Sequence, residues 1–192
     1  DRAMQIAALP FFVELHRCNR RDNGAGKTGS LFSCPYSSQK MIIKEIREFN
    51  QKLTQKGIRI IPVRISDKRM LVYVYRPEKL KEDFSDEKTQ IILKCKGYDC
   101  TNLSQCICRL IQKLQSDPDF PHEIGLFLGY PAEDVKGFIE NKAACSKCSG
   151  CWKVYGDEQA ARILFKKYKK CTEIYCRRWK SGVAVEQLTI TI

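Results

Sequence analysis

The strongest constraint on the fold is a pair of β-branched and aromatic runs at residues 58–65 and 70–76, separated by the short polar segment 66–68. Runs of this composition on either side of a turn are typical of an antiparallel hairpin, which we predict over residues 58–76. Proline has no N–H group to donate to a neighbouring strand, so Pro62 predicts that the first strand lies at a sheet edge or contains a bulge. Any fold for this chain must therefore include an antiparallel pair of strands.

Helical periodicity occurs on both sides of this hairpin. Apolar residues recur at helical spacing from Ile42 to Leu53, after Ser38 as an N-cap and before Gly57 as a stop. Further helices are predicted after Pro77, after Asp86, over residues 104–115, around Val135 and over residues 157–180. On the helix over residues 104–115 we expect four side chains to be buried: Cys108, Leu110, Ile111 and Leu114.

One segment interrupts the helical pattern. Residues 124–130 form a short, continuous apolar run, which we interpret as a buried strand. The predicted fold class is therefore α+β. A small, mostly antiparallel sheet, made of the hairpin over residues 58–76 and the strand over residues 124–130, is packed by several helices, and the last of these is long and basic.

The composition predicts a single compact domain over residues 1–192. A chain of 192 residues with 43% hydrophobic content can bury about 70% of its unfolded surface. No run approaches the roughly 20 apolar residues of a membrane-spanning helix, and we interpret residues 3–13 as an amphipathic helix. The 11 cysteines are odd in number and cannot all pair, so we predict a reducing, cytoplasmic location.

The sharpest local motif is the segment Cys145-Ser-Lys-Cys148-Ser-Gly-Cys151, which we call the cysteine knuckle. Thiolates two residues apart can converge on one ion from a tight turn, and Gly150 permits the backbone bend that such a turn requires. The knuckle therefore predicts a metal site. The alternatives are buried apolar thiols without a ligand and a transient disulfide.

Two kinds of metal centre match the knuckle in part. A ferredoxin-type run would continue with a fourth cysteine and a proline, but Tyr155 and Gly156 stand at those positions. A four-thiolate zinc site would combine the knuckle with a second pair of cysteines on the last helix, which would have to break near Thr172 for both to bind. The predicted ligands are Cys145, Cys148, Cys151 and Cys171, followed by Cys176 and His16.

Two other motifs are incomplete. The segment Gly24-Ala-Gly-Lys-Thr28 is similar to the end of a phosphate-binding loop, but Arg21 replaces its first glycine and residues 29–32 are expected to be extended, not helical. We therefore expect no nucleotide cofactor. A histidine near a thiol can form a nucleophile pair or a mixed metal site. For His16 and His122, the more common alternative is an ordinary surface or hydrogen-bonded side chain.

Positive charge concentrates on the last predicted helix. The chain has 34 Lys and Arg against 22 Asp and Glu, which gives a formal charge of +12. Such a face attracts a phosphate backbone, so nucleic acid is one predicted partner; an acidic protein partner and simple solvation are the alternatives. The basic residues off the apolar stripe of this helix are Arg162, Lys166, Lys167, Lys169, Lys170, Arg177, Arg178 and Lys180.

Four segments carry a resemblance to a known family. They are Gly125-Leu-Phe-Leu-Gly-Tyr-Pro131, Glu133-Asp-Val135, Gly137-Phe-Ile-Glu-Asn-Lys142 and Cys148-Ser-Gly-Cys-Trp-Lys-Val-Tyr155. On these residues the chain resembles the family of unknown function numbered thirty-seven ninety-three, found largely in anaerobic bacteria. The resemblance covers nearly the whole chain and implies no established activity. It does imply a role in iron or low-potential redox metabolism, with an acidic redox protein such as a flavodoxin as partner.

The chain departs from the family pattern at two places. Members usually carry adjacent His and Cys near the N-terminus, whereas this chain has His16-Arg-Cys18. The position of Cys151 is often Tyr in sequences of this type. A binding group built on Cys148 and Cys171, together with Cys34 or Cys18, is compatible with that second departure.

The residues support three functional hypotheses from different classes. The first is an accessory protein whose thiolates bind iron, an iron–sulfur cluster or zinc. The second is a nucleic-acid-binding module that acts through the basic C-terminal helix. The third is an enzyme whose pocket lies where residues 124–130 meet the following helix. The sequence identifies no reaction and no catalytic residue for it.

Overall fold

The computed structural model describes residues 27–116 and 119–183, apart from the side chains at positions 171, 175 and 179. These residues form seven α-helices, a three-stranded antiparallel sheet and a two-stranded antiparallel ribbon, so the α+β prediction is confirmed. They fall into two units: residues 27–78 with 167–183, and Lys79–Lys166. The assignment of the whole chain to one domain stays a prediction.

The first unit contains the predicted hairpin within a larger sheet. Strands β1 (Gly29–Pro35), β2 (Arg59–Ile65) and β3 (Arg69–Tyr75) lie in the order β1-β3-β2. All pairs are antiparallel, and β3 is central. Strand β2 lies at an edge and its register shifts between Pro62 and Arg64, so both expectations for that proline are confirmed.

Helix α1 (Gln39–Leu53) packs the core of this unit, as its periodicity predicts. It continues into a 3₁₀ turn, Thr54–Lys56, which ends at Gly57 in the left-handed conformation with a φ of 68°. Ser38 is extended as an N-cap should be, but its side chain makes no capping hydrogen bond. The core cluster consists of Cys34, Ile42, Ile46, Leu53, Ile58, Ile60, Met70, Val72 and Val74.

The second unit is mainly helical. Tyr98 and Phe84 contact Phe127 at the centre of this unit, with ring centroids 5.5 and 5.0 Å from it. The Asp86 carboxylate accepts a 2.8 Å hydrogen bond from the Thr89 N–H and caps its helix as predicted. The helices are α2 (Pro77–Asp83), which enters the unit, α3 (Glu87–Cys95), α4 (Leu103–Ser116), α5 (Ile124–Phe127) and α6 (Ala132–Glu140), and the ribbon strands are β4 (Cys148–Ser149) and β5 (Lys153–Val154).

Two sequence predictions within this unit are wrong. Residues 124–130 are not a strand: the Ile124 N–H donates to the Pro121 carbonyl and the Leu128 N–H to the Ile124 carbonyl, both at 3.0 Å, which makes a short buried helix. A short apolar run lacks the length that would separate the two periodicities. On α4, Cys108 is exposed and Cys106 is buried, because the buried stripe keeps Leu110 and Leu114 but is rotated by roughly 60° from the expected one.

Helix α7 (Glu158–Lys180) is the predicted long basic helix. Ala161 and Tyr168 are buried along it, and the eight basic side chains named above are all exposed. None of the helices in the described residues is long and apolar enough to cross a membrane. The predicted N-terminal helix over residues 3–13 lies outside the described residues.

Candidate functional site: an aromatic cavity

The second unit contains a cavity of about 480 Å³, which we call the aromatic cavity. Residues from α5, α6, the ribbon and the loops between them line it. Its polar side chains are few, and most of its surface is aliphatic or aromatic. The lining residues are Phe120, His122, Ile124, Gly125, Leu128, Tyr130, Asp134, Val135, Phe138, Ser149, Cys151, Trp152 and Lys153.

Aromatic rings form two sides of this cavity. Tyr130 and Trp152 stack with their ring centroids 4.8 Å apart and their planes 24° from parallel. Phe165 meets the other side of the Trp152 ring edge-on at 4.6 Å. Across the cavity lining, His122 and Phe138 form a second edge-to-face pair at 5.1 Å. Ring pairs in these arrangements attract each other more strongly than the area they bury would give, so these contacts hold the aromatic side chains of the cavity lining in position.

A buried carboxylate holds the tryptophan wall in place. Asp134 is only 3% exposed, and its Oδ2 accepts a 2.6 Å hydrogen bond from the Trp152 indole N–H. Its Oδ1 accepts from the backbone N–H groups of Tyr155 and Gly156, each at 2.7 Å. Three donors therefore satisfy this buried charge, as burial of a carboxylate requires. Asp134 also lies in the first turn of α6, where the helix dipole stabilises negative charge.

A close approach of α6 to β5 completes this wall. Gly137 is buried on α6, and a Cβ atom there would lie 2.5 Å from the Tyr155 Cβ and closer still to the Tyr155 Cγ. Only glycine leaves room for the tyrosine to cross the helix at this point. The sequence therefore places a carboxylate and a glycine one turn apart on α6, and both fix the segment that carries Trp152.

A second, polar pocket of about 590 Å³ lies in the same unit. Its lining includes Lys96, Lys113, Lys142, Asp119 and Glu123. It shares Phe120, His122 and Phe138 with the aromatic cavity, so these side chains border both spaces. The two spaces are therefore neighbours across a common wall.

Within the polar pocket, Lys113 and Glu123 form a shielded ion pair. The Lys113 Nζ donates to Glu123 Oε1 at 2.7 Å, and the Tyr98 hydroxyl donates to the same oxygen at 3.0 Å. The Glu123 side chain is 4% exposed. Burial by itself raises the pKa of the Glu123 carboxyl, but the hydrogen bond and charge of Lys113 outweigh it, so the pKa is lowered from its ordinary value.

The family described as "Protein of unknown function (DUF3793)" matches residues 24–189. The chain belongs to this family. No curated protein and no solved structure matches it. The family match confirms the resemblance but carries no activity, and the implied iron metabolism and flavodoxin partner stay predictions.

The segments that carry the DUF3793 resemblance meet at the aromatic cavity. Residues 125–131 provide Tyr130, residues 133–135 provide Asp134, residues 137–142 provide Phe138, and residues 148–155 provide Trp152. These segments lie up to about 30 positions apart in the sequence, yet their side chains surround a single space. The cavity therefore lies where the third sequence hypothesis put a pocket, next to the segment 124–130 and the start of α6. The enzyme activity of that hypothesis stays a prediction.

The cysteine knuckle of this DUF3793 protein does not bring its three thiols together as a metal site. Cys145 is exposed with a left-handed φ of 57°, Cys148 is half-buried opposite Val154 in the ribbon, and Cys151 lies on the wall of the aromatic cavity. Within residues 27–116 and 119–183, no three His, Cys, Asp or Glu side chains are grouped to hold a metal ion.

The remaining predicted ligands give no further grouping. Cys176 is half-buried on α7, in the first unit. His16 and the side chain of Cys171 lie outside the described part of the chain. Iron, iron–sulfur or zinc binding therefore stays a prediction, which elemental analysis and an absorption spectrum of protein purified without oxygen would test.

Sequence reasoning missed the residues that build the cavity of this DUF3793 protein. Tyr130, Asp134 and Trp152 appear in the sequence analysis only as parts of the resemblance. A signal was present: Asp134 occurs directly before Val135 on the apolar face of a predicted helix. An acidic residue on that face is buried only if donors reach it, which here come from residues 152, 155 and 156.

Proposed function

We propose that the unit Lys79–Lys166 binds a small, mainly apolar ring compound in the aromatic cavity. The observation that carries this proposal is the stacked pair of Tyr130 and Trp152, fixed from behind by the Asp134 carboxylate. A flat wall that is held in position before binding costs little entropy when a flat ligand contacts it. The cavity of about 480 Å³ is within the range of roughly 300–1,000 Å³ typical of small-molecule sites.

The polar groups of the cavity favour binding over proton transfer. The Asp134 carboxylate already accepts three hydrogen bonds, so its role is to position Trp152. The Lys153 ammonium donates to the Ala143 carbonyl and is likewise engaged. We therefore propose a carrier, sensor or accessory function for the bound compound, and we assign no reaction to the cavity.

The neutral dye N-phenyl-1-naphthylamine tests this proposal. We expect saturable binding at one dye per chain, with energy transfer from a tryptophan. The chain has 2 tryptophans, Trp152 and Trp179, so the variant Trp152→Phe identifies the donor. Binding in the cavity predicts that this variant loses the transfer while the Trp179 emission persists.

A cavity-filling variant gives the second readout. Ser149 is exposed on β4 and lines the cavity, so Ser149→Phe should place a ring inside it and weaken dye binding at least about tenfold, or about 1.4 kcal/mol. Ser104→Phe, on an exposed position of α4 away from the cavity, is the matched control. Equal dye binding by wild type and Ser149→Phe, with both folded by circular dichroism, would rule the proposal out.

A second proposal concerns helix α7, and the exposure of all its eight basic side chains favours it. We propose that this helix binds single-stranded nucleic acid through its phosphates. Because each neutralised phosphate releases counterions, the logarithm of the affinity should fall with the logarithm of salt concentration by about 0.7 per contact.

Charge-neutralised variants test this second proposal. We expect the substitution of Lys166, Lys167, Lys169 and Lys170 by Gln to lower the salt slope by two to three, which corresponds to about four lost contacts. The matched control replaces four exposed lysines elsewhere, at positions 40, 44, 68 and 81, with the same change in net charge. Equal loss of binding in both variants would show a non-specific effect of the +12 charge and would refute a site on α7.

A further inference from the structure

We infer that the ligand of the aromatic cavity is amphipathic, with an anionic group that the neighbouring polar pocket binds. This inference rests on the proposed function of the cavity and names the chemical class of its ligand. The two spaces lie on either side of a wall made by Phe120, His122 and Phe138. A ligand whose ring contacts Trp152 can therefore extend a polar group past this wall without leaving the unit.

The side chains of the polar pocket favour a negative group there. The Lys113 ammonium and the Glu123 carboxylate neutralise each other at 2.7 Å. Lys96 and Lys142 remain, and within the described residues no carboxylate forms an ion pair with either ammonium group. Asp119 is the opposing charge on the pocket lining. With the ion pair cancelled, two cations face one carboxylate, so the pocket carries a net positive charge of one.

One of these cations, Lys142, has an unusual backbone conformation. Lys142 follows α6 in the left-handed conformation with a φ of 48°, and Ala143 follows at 64°. Residues other than glycine adopt this conformation only at an energetic cost, and they cluster at binding sites. Both residues line the polar pocket, and the Lys153 ammonium, which also lines the aromatic cavity, donates to the Ala143 carbonyl. The turn at residues 142–143 therefore connects the two spaces directly.

The two halves of the proposed ligand have distinct roles. Its ring would occupy the apolar space, where burial against Tyr130 and Trp152 supplies the affinity. Its anion would sit near Lys96 and Lys142, where the charges fix its orientation and select against neutral compounds. Carboxylate and phosphate share this chemistry.

Two dyes with the same ring skeleton provide the test. 1-Anilinonaphthalene-8-sulfonate carries an anion that N-phenyl-1-naphthylamine lacks. We expect wild-type protein to bind the sulfonate about three- to tenfold more tightly than the neutral dye, which is the effect of two partly exposed cations. The double variant Lys96→Gln with Lys142→Gln should lose this preference and keep its affinity for the neutral dye.

A control of equal charge excludes a general effect of the basic chain. The double variant Lys166→Gln with Lys169→Gln removes two exposed cations from α7 and should retain the preference for the sulfonate. Competition by 1-naphthoate and by 1-naphthyl phosphate then distinguishes a carboxylate from a phosphate.

The possible failures are distinguishable. If the neutral dye binds in the cavity but the sulfonate binds no more tightly, the inference is overturned and the proposed function stands. If the Lys96 and Lys142 variant and the α7 control lose the preference equally, the inference is overturned as well. If neither dye responds to Ser149→Phe, the proposed function itself fails.

Discussion

At the scale of single residues, the carboxylate of Asp134 determines the orientation of one cavity wall. It connects α6 to the segment after β4 through one side-chain donor and two backbone donors. Trp152 is 8% exposed and stacks on Tyr130, and its indole N–H donates a 2.6 Å hydrogen bond to this carboxylate. The stability of the unit and the binding competence of the cavity should therefore depend on the same side chain.

We predict that Asp134→Ala lowers the free energy of unfolding by about 3 kcal/mol or more, because three donors lose a charged acceptor inside the protein. Binding of the neutral dye should fall with it. Glu133→Ala is the matched control, since Glu133 is exposed and pairs with Lys88 at the surface, and it should change stability much less. Urea unfolding followed by circular dichroism measures both. Equal losses would show that the buried carboxylate has no special role.

A second residue-scale prediction concerns pH. The pKa of Glu123 is lowered in the folded protein, so its contribution to stability is present above the unfolded pKa of about 4.3 and is lost as the pH falls through the folded value. The free energy of unfolding should therefore decrease as the pH is lowered from about 5 into the acid range. In Glu123→Gln this component should disappear, whereas Glu78→Gln, at an exposed position, should retain it. Urea midpoints at several pH values provide the measurement, and an unchanged slope in Glu123→Gln would contradict it.

At the scale of elements, α6 packs directly against the segment of β5 and Tyr155, because the helix has a glycine, Gly137, at the point of contact. Gly137 allows this contact and thereby sets the distance between the helix and the ribbon. Glycine inside a helix costs up to about 1 kcal/mol relative to alanine, so its presence here implies a compensating gain in packing. That gain is the position of Tyr155, whose own backbone N–H donates a hydrogen bond to Asp134.

We therefore predict that Gly137→Ala destabilises the protein by about 1–2 kcal/mol, although alanine is the better helix former. Overpacking against Tyr155 costs about 1–3 kcal/mol, and the gain in helix propensity offsets part of it. Lys136→Ala, at an exposed position of the same helix, is the control and should be nearly neutral. Thermal unfolding compares the two, and a stabilised Gly137→Ala would contradict the close contact.

The sequence predicts those elements that have a long or sharply bounded pattern. The hairpin over residues 58–76, helix α1 and helix α7 all have such patterns, and the structure contains them. It does not predict α5, because a run of about seven apolar residues without polar positions gives no periodic signal. The ribbon of β4 and β5 has only two residues in each strand, which is too short for alternation to appear.

The aromatic cavity could be predicted even less, because it depends on contacts between distant positions. Nothing in the neighbourhood of Trp152 in the sequence indicates that a carboxylate 18 positions earlier accepts its hydrogen bond. The family resemblance marks the right segments without giving the reason for them. For the knuckle cysteines, the sequence gives a clear pattern that the structure does not follow. Their spacing is typical of a metal site, yet β4 and the turn around Cys145 place the three residues in different environments.

At the scale of the whole molecule, the cysteines differ widely in environment. Cys34 is buried in the first unit and Cys106 in the second, and burial is the main reason that the pKa of each thiol is raised, that of Cys106 to about 12. Cys95, Cys108, Cys145 and Cys151 are exposed. Because the thiolate is the reactive form, thiol chemistry should be confined to the second group.

We predict that iodoacetamide at pH 8 modifies Cys95, Cys108 and Cys145 in the folded protein at least about tenfold faster than Cys34 and Cys106, since burial raises the pKa of both buried thiols. For Cys106, whose pKa is raised to about 12, about one thiolate in 10⁴ is present at this pH. Mass spectrometry of the digested protein at successive times gives the rates. In urea all five should react at similar rates. Rapid modification of Cys106 before unfolding would show that its surroundings are open to solvent.

The division of the chain into units has a consequence for protein synthesis. Residues 79–166 leave the ribosome as one uninterrupted stretch, whereas residues 27–78 are translated before them and residues 167–183, which belong to the same unit as 27–78, after them. At bacterial or eukaryotic elongation speeds of about 5–20 residues per second, this interval lasts roughly 5–20 s. During that time the nascent polypeptide contains the three-stranded sheet and α1 without residues 167–183 of the same unit, so chaperones can bind the incomplete unit.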